Sequence, residues 1–237
     1  MADLPAEMRT PPVLAIRDLE YGWTAGRSLL DIPRLDVAAG GKLLIRGPSG
    51  SGKSTLLNLL AGILTPRAGA IRLLDSEISA LSATARDRFR GEHLGVIFQL
   101  FNLLPYLSIL DNVLLPCRFS RRRAERARAT DGSEDAAAAR LLAELGLPGA
   151  MDGPVSRLSI GQQQRVAAAR ALIGAPEIVI ADEPTSALDE DSRAAFLQLL
   201  STECERAGAT LVMVSHERSL ESLFDRVVPM SALSGGN

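Results

Sequence analysis

Gly47-Pro48-Ser49-Gly50-Ser51-Gly52-Lys53-Ser54 is the stretch on which the reading of this chain turns. It fits the pattern G-x-x-x-x-G-K-[ST], and each fixed residue has a mechanical reason. Glycines let the backbone curl until successive N–H groups point inward at phosphate oxygens, and the positive end of the following helix strengthens that field. Lys53 can then reach the β- and γ-phosphates, while the Ser54 hydroxyl is placed to ligate Mg2+. A plain glycine turn capping a helix would explain Gly50 and Gly52 but not the Lys-Ser pair. Every one of the 26 basic side chains except Lys42 and Lys53 is arginine, so Lys53 stands against the compositional bias.

Working outward, the apolar-centred stretch 42–46 reads as the strand that delivers the loop, after a turn at Ala39-Gly40-Gly41. Short strands are expected over 13–23 and 31–37. Downstream, Leu56, Leu57, Leu59 and Leu60 mark a helix that stops near Gly62, before Pro66, and a strand follows around 70–74. From about Asp87 to Met151 the pattern is that of a mostly helical insertion. It has an arginine-rich helix at 118–128, a polar link at 130–135 and a helix at 136–145. Ser159 is a plausible N-cap for a helix with Val166, Ala169, Leu172 and Ile173 on one face, stopped by Gly174 and Pro176. The continuous apolar runs 177–181 and 210–214 suit strands buried on both faces of a parallel sheet, and a helix over 191–207 joins them as a βαβ unit.

The run 177–181 ends in Asp182-Glu183-Pro184. Ligands in open α/β sheets bind beyond the carboxyl ends of the strands, which is where the 47–54 loop also lies. Asp182 suits a Mg2+ contact. Glu183, one residue on, suits a general base that positions water for attack on the γ-phosphate. Alone, such a pair is most often just a solvated turn; beside a phosphate loop it gains a role.

Leu158-Ser159-Ile160-Gly161-Gln162-Gln163-Gln164-Arg165 resembles the ABC signature motif, usually written LSGGQ. With the DEPTSALD run from Asp182 to Asp189, and Ser215-His216 after the last apolar strand, the chain is similar to the ABC ATPase family in motif order over about residues 12–228. The resemblance implies a single ABC ATPase domain at 12–228, with a helical subdomain at 86–165 and tails at 1–11 and 229–237. The implied fold class is α/β: a P-loop NTPase core with a parallel sheet, an antiparallel N-terminal β region and the helical signature subdomain.

Carried over residue by residue, it implies that Tyr21 stacks on adenine and that Gly47, Pro48, Ser49, Gly50, Ser51, Gly52, Lys53, Ser54 and Thr55 hold the phosphates. Gln99 would be the loop glutamine that contacts Mg2+ and the attacking water and senses a membrane partner. Ser159, Gly161 and Gln162 would meet ATP held by the opposite subunit, Asp189 would help align the two subunits, and His216 would touch the γ-phosphate. Ile160 departs from the pattern, because the family usually has glycine there and a β-branched residue cannot cheaply take φ > 0. Either the backbone at 160 is ordinary or the contact is altered.

Composition narrows the rest. A formal net charge of −2 speaks against a nucleic-acid partner. Cys117 and Cys204 match no metal or disulfide spacing and are expected as buried thiols. Met1–Pro12 has no apolar core of a signal peptide, and the longest apolar run, 94–110, is broken by Gln99, Asn102 and Pro105, so no membrane span is expected.

Phe98-Gln99-Leu100-Phe101-Asn102-Leu103-Leu104-Pro105-Tyr106 packs three of the nine aromatic residues into nine positions. Two readings stand: ordinary core, or an exposed apolar patch for a partner helix. Its wording resembles the macrolide-export and lipoprotein-release branch, which implies an integral membrane permease docking there. DEPTSALD is also common in uptake ATPases, so the direction of transport stays open. A second copy in a head-to-tail dimer and a peripheral place at the cytoplasmic face of the inner membrane follow from the same resemblance. The arginine run is expected mainly as a solvated helix face. Two rivals stand beside a transport ATPase: a regulatory ABC ATPase that transmits force or signal without moving a substrate, and a soluble DNA-repair or translation protein. The latter usually carries a long coiled-coil insertion or a second cassette, and neither is visible here.

Overall fold

A computed structural model of the chain describes residues 11–233 except 25, 150, 151 and 187. The alternating pattern at the start forms β1 (Leu14–Tyr21) and β2 (Leu30–Val37), which pair antiparallel from Leu14 against Val37 to Tyr21 against Leu30. Next come β3 (Lys42–Arg46), α1 (Lys53–Leu60), β4 (Ala68–Leu73), β5 (Ser76–Glu77) and α2 (Ala83–His93). β6 (Leu94–Ile97), α3 (Ile109–Phe119), α4 (Arg121–Asp131), α5 (Glu134–Glu144) and α6 (Ile160–Leu172) follow. The chain closes with β7 (Ile178–Asp182), α7 (Glu190–Ala207), β8 (Thr210–Ser215), β9 (Arg226–Pro229) and α8 (Met230–Leu233).

Two sheets result: an antiparallel one in the order β2-β1-β4-β5, and a parallel one in the order β6-β7-β8-β3-β9. The central strands β7, β8 and the middle of β3 bury both faces, which is why their sequences run apolar there, whereas the edge strand β9 is largely exposed. Leu44, Val179, Ala181, Leu211 and Met213 face one core, packed by α3 to α7. Their neighbours Leu43, Ile45, Ile178, Ile180, Val212 and Val214 face a second core, shared with α1 and the antiparallel sheet. Burying each of the larger side chains contributes roughly 1.5–3 kcal/mol, so one short strand ties two layers together.

Several expectations are corrected here. The helical stretch is interrupted: Leu94–Ile97, inside what read as insertion, is an edge strand pairing with β7 from Leu94 against Ile178 to Ile97 against Ala181. The arginine-rich helix is two helices, split at Ser120, whose hydroxyl caps α4 by accepting from Arg123 N. Nor is the run wholly solvated, because Arg123 is buried. Residues 229–233, placed in a tail, end β9 and form α8, with Met230 and Leu233 buried. Of the expected tails at 1–11 and 229–237, residues 1–10 and 234–237 lie outside the described residues. Among the described residues no helix is long and apolar enough to cross a membrane. Cys117 and Cys204 are both buried, as their spacing suggested.

Candidate functional site

Parallel pairing brings four strand ends to one edge. β3 runs into the 47–54 loop, with Arg46 opposite Ser215 at the end of β8. Val214 lies opposite Asp182, and Ala181 opposite Ile97. Gln99, in the turn after β6, and His216, just after β8, therefore lie on either side of the acidic pair, with the phosphate loop next beyond His216.

The loop folds as its glycines dictate. Gly52 caps α1 at φ 94, and a Cβ there would come within 2.8 Å of Leu30 Cδ2, so this position has neither the backbone region nor the space for a side chain. Lys53 is only 4% exposed, and its Nζ donates to Gly47 O and Pro48 O at 2.8 Å each. The same ammonium lies 3.2 Å from Glu183 Oε1, and Glu183 Oε2 lies 3.2 Å from His216 Nδ1. Cation, candidate base and histidine thus form one contact chain. Glu183 reaches it from a left-handed backbone, φ 41, held by its own N–H donating to Val214 O at 3.1 Å. Such strain in a non-glycine residue costs about 1–3 kcal/mol and collects at functional sites.

Ser54 Oγ donates to Asp182 Oδ1 at 3.2 Å. Burial raises the Asp182 carboxyl, opposed by the Ser54 hydrogen bond; the Glu183 charge raises it further and Lys53 lowers it. A hydroxyl and a carboxylate whose ionisation is disfavoured by burial and a neighbouring anion are hard oxygen donors that added positive charge would stabilise, which fits Mg2+.

Ser159 caps α6 in a capping box: its Oγ accepts from Gln162 N, and Gln162 Oε1 accepts from Ser159 N. Ile160 is the first residue of α6 and its side chain is exposed, so the departure from glycine settles as an ordinary helical backbone without strain. Gly161 sits against Leu188, whose Cδ2 would be 3.3 Å from an added Cβ. Asp189 caps α7 through Ser192 N. Among the described residues no hydrogen bond or ion pair joins 158–162 to 47–55.

Tyr21 is 9% exposed, in the core beneath the antiparallel sheet, because inward-facing positions alternate along β1. The ring presented to solvent is Trp23, 65% exposed and packed edge-on against Tyr21 at 5.4 Å between centroids. This turn borders the phosphate loop, since Leu29 N donates to Tyr21 O and Leu29-Leu30 abut Gly52.

The 98–106 segment divides. Leu100 is 84% exposed and Tyr106 78% exposed, whereas Leu103 packs on the core and Phe101 is half-buried. Sequence reading missed Asn112, Gln164 and Arg170, three polar side chains on otherwise apolar helix faces, which is the mark that could have found them.

A glycine-looped lysine, a strand-end acid pair and a histidine at one edge of a parallel sheet define a P-loop nucleotide hydrolase. The family model described as ABC transporter matches residues 30–186, and the chain belongs to that family and is an ATPase. It is 43% identical over 222 residues to the macrolide export ATP-binding/permease protein MacB 1 of Aeromonas hydrophila, covering 92% of this chain and 33% of that protein. It is 37% identical over 228 residues to the lipoprotein-releasing system ATP-binding protein LolD of Anaeromyxobacter dehalogenans, covering 95% and 93%. The chain therefore spans a third of the first relative and nearly all of the second. Among solved structures, the ATP-binding cassette MJ0796, in a dimeric post-hydrolysis state bound to ADP and Pi, is 31% identical over 91% of this chain and 93% of that one, with a TM-score of 0.77.

Proposed function

We propose that the chain hydrolyses ATP to drive an integral membrane permease engaged in export or lipoprotein release, as a peripheral subunit at the cytoplasmic face of the inner membrane. The observation that carries this reading is the contact chain from Lys53 through Glu183 to His216, set at the sheet edge from which the apolar 98–106 segment emerges. The names of the MacB and LolD relatives support the transport context.

In this mechanism residues 47–55 cradle the triphosphate, and Lys53, already fixed by two carbonyls, supplies a point charge to it. Glu183 orients water and accepts its proton, with His216 beside it. Ser54 and Asp182 would hold Mg2+, with Gln99 nearby. The bound ion would neutralise charge developing on the phosphates. Ser159, Gly161 and Gln162 belong to a helix N-terminus, a natural anion site, and serve ATP on a second copy in a head-to-tail dimer, with Asp189 at the seam. The dimeric state named for MJ0796 supports that arrangement. Tyr21, with Trp23 packed edge-on against it, is the ring offered to the base.

A photo-crosslinker at Leu100, used in native membranes, should capture a permease. Reconstituting that permease in vesicles should raise the ATPase rate, and Tyr106→Asp should remove the rise while leaving basal hydrolysis intact. Undiminished stimulation of Tyr106→Asp would overturn the docking site.

A further inference from the structure

One side chain connects the signature helix to the exposed apolar segment. Arg170, near the C-terminal end of α6, donates through Nη1 to Asn102 O at 2.7 Å and through Nη2 to Phe101 O at 2.5 Å. Both carbonyls belong to residues in the left-handed region, φ 60 at Phe101 and 50 at Asn102. Two successive non-glycine residues hold that conformation only where the surroundings over-determine it. The guanidinium has no carboxylate partner among the described residues, and burial pulls its pKa down to about 10. Its hydrogen bonds are therefore spent on this turn rather than on an ion pair.

The other contacts of α6 lead to the nucleotide. Gln164, fully buried, donates to Pro184 O, the carbonyl that follows Glu183, and Ser159 forms the helix N-cap. The rest of the segment is fastened to α3. Asn112, 0% exposed, accepts from Leu104 N at 2.8 Å and donates to Leu104 O and Ser108 O at 3.0 Å. Leu100 and Tyr106 are left as exposed tips of a segment held from both sides.

We infer that Arg170 is a positioning residue that ties the 98–106 segment to the signature helix, so that movement of α6 at the nucleotide and movement of that segment at its partner are one event. Arginine suits the task because its rigid planar fork presents separate N–H groups to the two carbonyls, a fixed geometry that the flexible point charge of lysine does not reproduce. The inference rests on the proposed docking role of 98–106.

The test uses the full chain with Glu183→Gln to slow hydrolysis and Leu100→Cys carrying an environment-sensitive fluorophore. Labelling is selective, since burial pushes the Cys117 thiol up to about 11 and the Cys204 thiol up to about 12. MgATP should shift the emission. In Arg170→Met the shift should shrink at least about fivefold, the low end of ordinary coupling between sites, while affinity for a fluorescent ATP analogue is retained. Arg170→Lys should recover part of it. A full shift in Arg170→Met, or none in the parent, overturns the inference. Should the methionine variant fail to fold, an undiminished shift in folded Arg170→Lys overturns it equally. If the shift depends on Arg170 while Tyr106→Asp leaves permease stimulation intact, the tie stands and the docking reading falls.

Discussion

Arg123→Met should cost several kcal/mol of stability, far more than any neighbour in the same arginine run. The Arg123 side chain is 2% exposed. Its Nε donates to Ile173 O at 2.7 Å, Nη1 to Leu94 O at 3.0 Å and Nη2 to Ala171 O at 2.6 Å, with a further bond from Nη2 to Ile173 O. It thus satisfies the end of α6 and the start of β6 at once, from α4. Methionine fills similar volume but leaves three buried carbonyls without a donor, at about 1–3 kcal/mol each. Burial has already pulled the guanidinium down to about 10, so removing it returns part of that cost. The net expectation is a loss of roughly 3–6 kcal/mol, against a usual total of about 5–15. Arg121→Met is the control. Its side chain is 89% exposed and pairs with Glu125 one turn on, a contact that solvent screens and that contributes little. Urea unfolding of both variants decides the matter, read as a midpoint change at constant m-value. Losses within about 1 kcal/mol of each other would refute the assignment of three unreplaced bonds to Arg123.

Two further outcomes are expected. Burial alone would raise the Glu177 carboxyl, but hydrogen bonds from His93 and Arg122 and the charge of Arg126 bring it down to about 2. Its stabilisation is therefore present above its ordinary pKa of 4.5 and lost as pH falls toward 2. The gap between parent and Glu177→Gln in urea midpoints should be constant near neutrality and narrow below that value; a gap that ignores pH would contradict the shift. Trp23 is the only tryptophan, so its emission should change on titration with MgATP, and Lys53→Ala should abolish the change. Equal titration of Lys53→Ala and parent would remove Lys53 from the phosphate site.

The phosphate loop, the acid pair and the two central strands were legible because a few residue types there answer to one demand: phosphate geometry, or burial on two faces. Leu94–Ile97 was not, because four apolar residues beside a helix carry no period of their own and only pairing with β7 makes them a strand. Arg123 misled for a related reason. An arginine run has the composition of a wet helix face, and only the carbonyls at the end of α6, distant in sequence, turn one member inward. How far each ring at the end of β1 is covered was not legible either, since strand alternation buries most of Tyr21 and leaves Trp23 exposed. The tie from Arg170 to Phe101 and Asn102 lies beyond any local pattern, because Asn102 alone hints at a left-handed turn and nothing local marks Phe101 or the distant arginine that holds it.

The central claim is that Glu183 is the base of an ATP site completed by a second copy. Light scattering of Glu183→Gln measures it directly. Glutamine keeps the shape but removes the proton acceptor, a loss of about 10²–10⁴-fold in rate, so bound ATP should persist and hold two copies together. The variant should be a monomer without nucleotide and a dimer with saturating MgATP, and added Ser159→Arg should restore the monomer without weakening ATP binding. A Glu183→Gln protein that binds MgATP yet stays monomeric, alone and with its permease, would contradict the shared site.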